Sequence, residues 1–154
     1  MKKFLLTLIV LTFGLSALAS DSEDALSFFN SFVQASNNYS ASLLNMYSDS
    51  AKITRQVVKP NGQTVNIPFS IDDYRKQMKI SSKLAKLKNY KNHYSKISVT
   101  KVGNGYKIES LRQPGGDTNK LKATMVVQKQ PNGKWLIVEE LMQTKEQIFL
   151  KYAK

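Results

Sequence analysis

The chain is 154 residues long, 42% apolar and 22% charged, with 7 Gly and 4 Pro, which fits one globular domain and excludes low-complexity and collagen-like chains. It has no cysteine and 1 histidine, so disulfide scaffolds, zinc ribbons and thiol nucleophiles are excluded, and neither a metal nor a cofactor is expected. Lys and Arg number 23 against 11 Asp and Glu, and the resulting net charge of +12 favours anionic partners.

Residues 1–19 follow the order of a secretory signal peptide. Lys2 and Lys3 precede an apolar run over residues 4–15, and Ala17-Leu18-Ala19 supplies a small-residue cleavage site. Cleavage after Ala19 would begin the mature chain at Ser20, giving a leader over 1–19 and a single domain over 20–154. The competing reading is a membrane anchor, but the run is shorter than the roughly 20 residues a spanning helix needs. The expectation is a periplasmic or secreted protein with no transmembrane anchor in its mature form. Without cysteine, its stability must come from its core.

In the domain, Asp21, Ser22, Glu23 and Asp24 suit a helix N-terminus, and Leu26, Phe29, Phe32 and Val33 follow at helical spacing, predicting an amphipathic helix over about 21–35. Ser40 is a plausible N-cap for a second short helix carrying Ala41, Leu43, Leu44, Met46 and Tyr47. Ile53, Val57 and Val58 lie in a strand-like run, and Asn61-Gly62 joins it to a second run over 64–69 as a hairpin. Ser70 and Asp73 have capping-box spacing, and Ile71, Tyr74, Met78, Leu84 and Leu87 suggest the apolar stripe of a third helix among lysines. Strands over 94–102, 106–113, 121–130 and 135–142, separated by Gly-rich turns, read as a four-stranded meander. The last eleven residues suit a short closing helix with Ile148, Phe149 and Tyr152 on one side. From Arg75 to Lys107 there are ten basic residues and no acidic one, so a positive surface is expected there.

Three segments carry a resemblance. Leu43-Leu44-Asn45-Met46-Tyr47-Ser48-Asp49-Ser50-Ala51-Lys52-Ile53 is similar to the end of helix two and the start of strand one in the NTF2-like superfamily, which includes nuclear transport factor 2, ketosteroid isomerase and the SnoaL-like polyketide cyclases. Phe69-Ser70-Ile71-Asp72-Asp73-Tyr74-Arg75 resembles the start of that superfamily's third helix, and Gly133-Lys134-Trp135-Leu136-Ile137-Val138 its last hairpin. The resemblance spans about residues 24–143 and implies an α+β cone, with N-terminal helices packed on a strongly curved, mainly antiparallel sheet.

It also bears on chemistry. The general base of the ketosteroid isomerases lies six residues after the matching Asp, and counted from Asp49 that position is Arg55. A guanidinium stays protonated and cannot take a proton from carbon. Cyclases and dehydratases of this fold use Asp and His inside the cone. Here His93 opens the first meander strand, and of Glu139 and Glu140 strand alternation sends one inward. A lyase or isomerase would therefore rest on His93 with a pocket carboxylate such as Glu139.

The leading expectation is a non-enzymatic binding or interaction module, with a SnoaL-like enzyme as the alternative. Tyr47, Tyr74, Tyr94 and Arg55 are expected to line a cavity for a small apolar ligand. Lys76, Lys79, Lys83, Lys86, Lys88 and Lys91 would face an anionic envelope surface, a solvated lysine face being the plainer account. Only 3 of the 23 bases are Arg, so nucleic acid is not an expected partner. The resemblance also implies a homodimer through the outer sheet face. A third reading, an accessory domain of a secretion apparatus, fits poorly, because such proteins of this fold keep a membrane anchor.

Overall fold

The computed structural model describes residues 12–153, so most of the expected leader lies outside the described residues. The first helix, α1, runs Thr12–Asn37. Sequence places its start near Asp21, whereas the structure carries it unbroken through Ala17 and Ala19, good helix formers that present no stop signal. Asp21 and Asp24 therefore act from mid-helix, holding Lys129 Nζ at 3.1 and 3.6 Å. Ala25, Phe29 and Phe32, at i, i+4 and i+7, form the buried face, and each Phe is worth roughly 1.5–3 kcal/mol of burial.

Tyr39 ends α1 in the left-handed region at φ 56°, and the bond from Ser40 N–H to the Ala35 carbonyl closes the last turn. A bulky residue is disfavoured there, but the Tyr39 hydroxyl donates to the Tyr90 carbonyl at 3.0 Å and secures the corner. Ser40 then caps a 3₁₀ helix, Ala41–Met46, by accepting from Ser42 N–H.

Six strands follow: β1 (Tyr47–Val58), β2 (Thr64–Phe69), β3 (His93–Val102), β4 (Gly105–Gln113), β5 (Leu121–Lys129) and β6 (Trp135–Thr144). They form one sheet in the order β2-β1-β6-β5-β4-β3, antiparallel except for the β1/β6 pair. Between β2 and β3, helix α2 (Ile71–Leu87) crosses to the far edge, and the meander returns strand by strand until β6 seats against β1. Gly105 is required where the β3–β4 turn meets β5, because a Cβ there would lie 2.4 Å from the Val127 carbonyl oxygen.

The core lies between the inner sheet face and the two helices. Ile53, Ile108, Met125, Val127 and Ile137 supply the sheet side, and Ala25, Phe29, Phe32, Ile71 and Tyr74 the helix side. Ser70 caps α2 as its spacing predicts, accepting from Asp73 N–H at 3.1 Å and donating to the Asp73 carboxylate at 2.8 Å. The expected stripe of α2 does not extend to its end: Leu84 is 54% and Leu87 84% exposed. At about 100° per residue, Leu87 falls roughly 160° round from Ile71, on the side away from the core. A second 3₁₀ helix, Gln147–Tyr152, closes over β2, where Phe149 and Tyr152 pack on Phe69 with ring centroids 5.9 and 5.8 Å away. Ile148, expected on that packed side, is instead exposed.

Candidate functional site

Two places merit a functional reading: the inside of the cone, and a cleft outside it. Inside, Glu140 on β6 is 1% exposed. The parallel register sets Ile53 beside Glu140, so Arg55, two residues further on the same face of β1, reaches it diagonally. Its Nη1 donates to Glu140 Oε1 at 2.7 Å, and the Tyr47 hydroxyl donates to the other oxygen, Oε2, at 2.5 Å. Tyr74, from the first turn of α2, completes the cluster with its hydroxyl 3.2 Å from that of Tyr47 and its ring 4.9 Å below the Arg55 guanidinium. Arg75 beside it ties the two elements together, pairing with Asp49 at 2.8 Å and donating to the Tyr47 carbonyl at 3.1 Å. The first two of the three segments that resemble the NTF2-like pattern in sequence thus meet in space.

Both Glu140 oxygens are engaged as acceptors, and the guanidinium facing them is permanently charged, so the cluster is a closed ion pair rather than a poised base. Burial, followed by the Glu140 charge, pushes the Tyr47 phenol well above its ordinary value, and the same two causes raise Tyr74. Burial also raises Tyr94, against the pull of Arg112. Tyr94 packs edge-on against Phe29 at 5.4 Å, and the space among Phe29, Tyr94, Ile108, Met125 and Met142 is too small for a water molecule. Tyr47, Tyr74, Tyr94 and Arg55, expected to line a ligand cavity, instead fill the cone and bond to one another or pack on its aromatic wall.

The expected catalytic pair does not converge. His93 is exposed on the edge strand β3, opposite Gln113. Glu139 points to the outer face, its side chain 54% exposed and 3.7 Å from Lys52. The reason is a bulge in β6: Val127 pairs with Ile137 and Val126 with Glu139, leaving Val138 as the extra residue. Ile137 points inward, so plain alternation would send Glu139 in as well; the bulge turns Glu139 out and brings Glu140 in. Sequence reasoning also passed over Arg112, a buried residue of β4 that donates to Asn92 Oδ1 and the Gln143 carbonyl, both at 2.8 Å. Asn92 in turn exchanges two 2.9 Å bonds with Asn37 at the end of α1. The signal available in sequence was an Arg among the alternating apolar positions of β4.

Outside the cone, a cleft of about 910 Å³ lies between the first 3₁₀ helix and the second half of α2. Leu43 and Leu44 of the first 3₁₀ helix form one wall and Met78, Ile80, Leu84 and Ala85 of α2 the other, with Tyr39 and Tyr90 at one end. Lys79, Lys83 and Lys88 also line it, and no acidic residue does. Of the six lysines expected to bind an anionic surface, all are exposed, and among the described residues only Lys76 has a carboxylate partner, Asp73 at 3.8 Å. No group of three or more acidic or imidazole side chains able to hold a metal occurs among the described residues, nor any helix long and apolar enough to cross a membrane.

No protein-family model and no curated protein sequence matches the chain. Solved structures do. An NTF2-like protein of unknown function from Pseudomonas putida is similar at 15% identity and a TM-score of 0.61, over 82% of this chain and 87% of its own. An NTF2-like protein with a cystatin-like fold from Novosphingobium aromaticivorans aligns over 91% of this chain and 92% of its own, at 8% identity and a TM-score of 0.63. A candidate ketosteroid isomerase from Shewanella frigidimarina shares 17% identity over 77% of this chain and 93% of its own, with a TM-score of 0.56. The chain therefore has the NTF2-like α+β fold, and a shared fold does not by itself assign a function.

Proposed function

We propose that this protein is an exported, non-enzymatic binding module that takes a small ligand in the cleft beside α2 and is held near anionic envelope components by its lysine face. The observation that carries this reading is the contrast between a cone interior closed by its own ion pair and an open apolar cleft of about 910 Å³, a volume within the roughly 300–1,000 Å³ of small-molecule sites. Export rests on the leader-like order of residues 1–19, and removal of that leader after Ala19 would return Asp21 and Asp24 to the first turn of the shortened helix, where the dipole favours them.

Two measurements test it. Intact mass of the protein from its native host should give a chain beginning at Ser20; retention of residues 1–19 contradicts export by cleavage. Co-sedimentation with phosphatidylglycerol vesicles should exceed that with phosphatidylcholine vesicles and fall as salt rises. Vesicle binding that salt leaves untouched contradicts the role of the lysine face.

A further inference from the structure

The cleft beside α2 combines two features that seldom serve the same occupant. Its walls are apolar, and Ile80 and Leu84 remain 75% and 54% exposed on them. Its ionised lining residues are Lys79, Lys83 and Lys88, with no carboxylate among the lining groups to balance them. The hydroxyls on the α2 side are already committed, because Ser81 and Ser82 donate to the Met78 and Lys79 carbonyls of their own helix. A neutral apolar molecule would cover the walls and leave three ammonium groups at its edge without a counter-charge. A small anion would meet the lysines and leave Leu43, Leu44, Met78 and Leu84 wet.

We propose that the cleft binds a free single-chain anionic amphiphile of the long-chain fatty-acid type, its chain between the 3₁₀ helix and α2 and its headgroup among Lys79, Lys83 and Lys88. This deepens the binding-module reading and rests on it. The occupant is one molecule withdrawn from its source, and the lysine face outside the cleft is left to contact the surface that supplies it. Lysine suits a headgroup of varying orientation, since it offers a point charge on a flexible stem rather than a planar fork.

The test is a titration of the purified protein with palmitate, myristate and hexadecanol, each below its aggregation limit, alongside the vesicle assay. Palmitate is expected to bind at least tenfold more tightly than hexadecanol, and losing two methylenes on passing to myristate should weaken binding roughly tenfold. The triple variant Lys79→Gln, Lys83→Gln, Lys88→Gln should erase the advantage of palmitate and leave hexadecanol unchanged, while Leu84→Gln should weaken both. Equal affinity for palmitate and hexadecanol overturns the anionic headgroup but leaves a binding module standing. Full palmitate affinity in the triple variant overturns its placement. If neither compound binds while vesicles still do, the cleft is not a ligand site; if vesicles fail as well, the binding-module reading falls with it.

Discussion

The inside of the cone and the cleft outside it invert the usual arrangement. The interior holds a charged pair and three tyrosines packed against or bonded to their neighbours, whereas the outer cleft is walled with leucine, isoleucine and methionine and is open. Within the cone, Arg55, Tyr47 and Tyr74 gather around the buried Glu140. The cleft proposed to bind lies instead alongside α2. The two regions should therefore answer mutation in opposite ways, the interior through stability and the cleft through binding.

The largest effect is expected at the ion pair. Glu140→Gln or Arg55→Met leaves one buried partner uncompensated and should cost about 3–5 kcal/mol in denaturant unfolding, whereas the joint Arg55→Met, Glu140→Leu variant should recover most of that loss. A single variant of near-normal stability would mean that water reaches the pair. Next in size, Tyr47→Phe removes a bond to a charged group and should cost about 1.5–3 kcal/mol.

A pH dependence follows from the same cluster. Tyr47 and Tyr74 have folded pKa values above their unfolded ones, so the folded state retains protons that the unfolded state releases as pH rises past about 10. Their contribution is complete below that pH and is lost above it, so stability should fall in alkali, and less steeply in Tyr47→Phe. An alkaline limb identical in the two proteins would detach that phenol from the effect. Ser70→Ala, which removes the cap of α2, should cost about 1 kcal/mol in thermal unfolding. The smallest stability change, within about 0.5 kcal/mol, is expected for the exposed Lys86→Gln and His93→Gln. Of these two, only Lys86→Gln should lower vesicle binding.

These differences also explain what could be read in advance. The order of elements, the span of β2 and the cap at Ser70 were legible, because hairpin turns and caps are local chemistry. Tyr47 read as the end of a helix and is the first residue of β1, since three residues inserted between its pairing with Ile137 and the Lys52 pairing with Glu139 disguise the strand's alternation. Glu140 was hidden by the single extra residue at Val138, which no local preference marks. Arg55 was recognised as an unsuitable base, but its partner could be found only once the parallel register was known. The cleft had no signature at all in the chain, for it depends on how the first 3₁₀ helix and α2 face each other in space, with Leu43 and Leu44 on one side and Met78, Ile80 and Leu84 on the other.

The parallel β1/β6 pairing shapes how the chain reaches this state. The partner of Ile53 is Glu140, and β1 gains its second neighbour only when the last strand of the meander is in place. Contacts of such sequence separation must close long loops before they are rewarded, which slows folding relative to chains held by local contacts. During that interval Arg55 has no carboxylate to meet and one edge of β1 is unpaired, a template for association with other chains. A chain cut short before Trp135 would remain in that condition permanently.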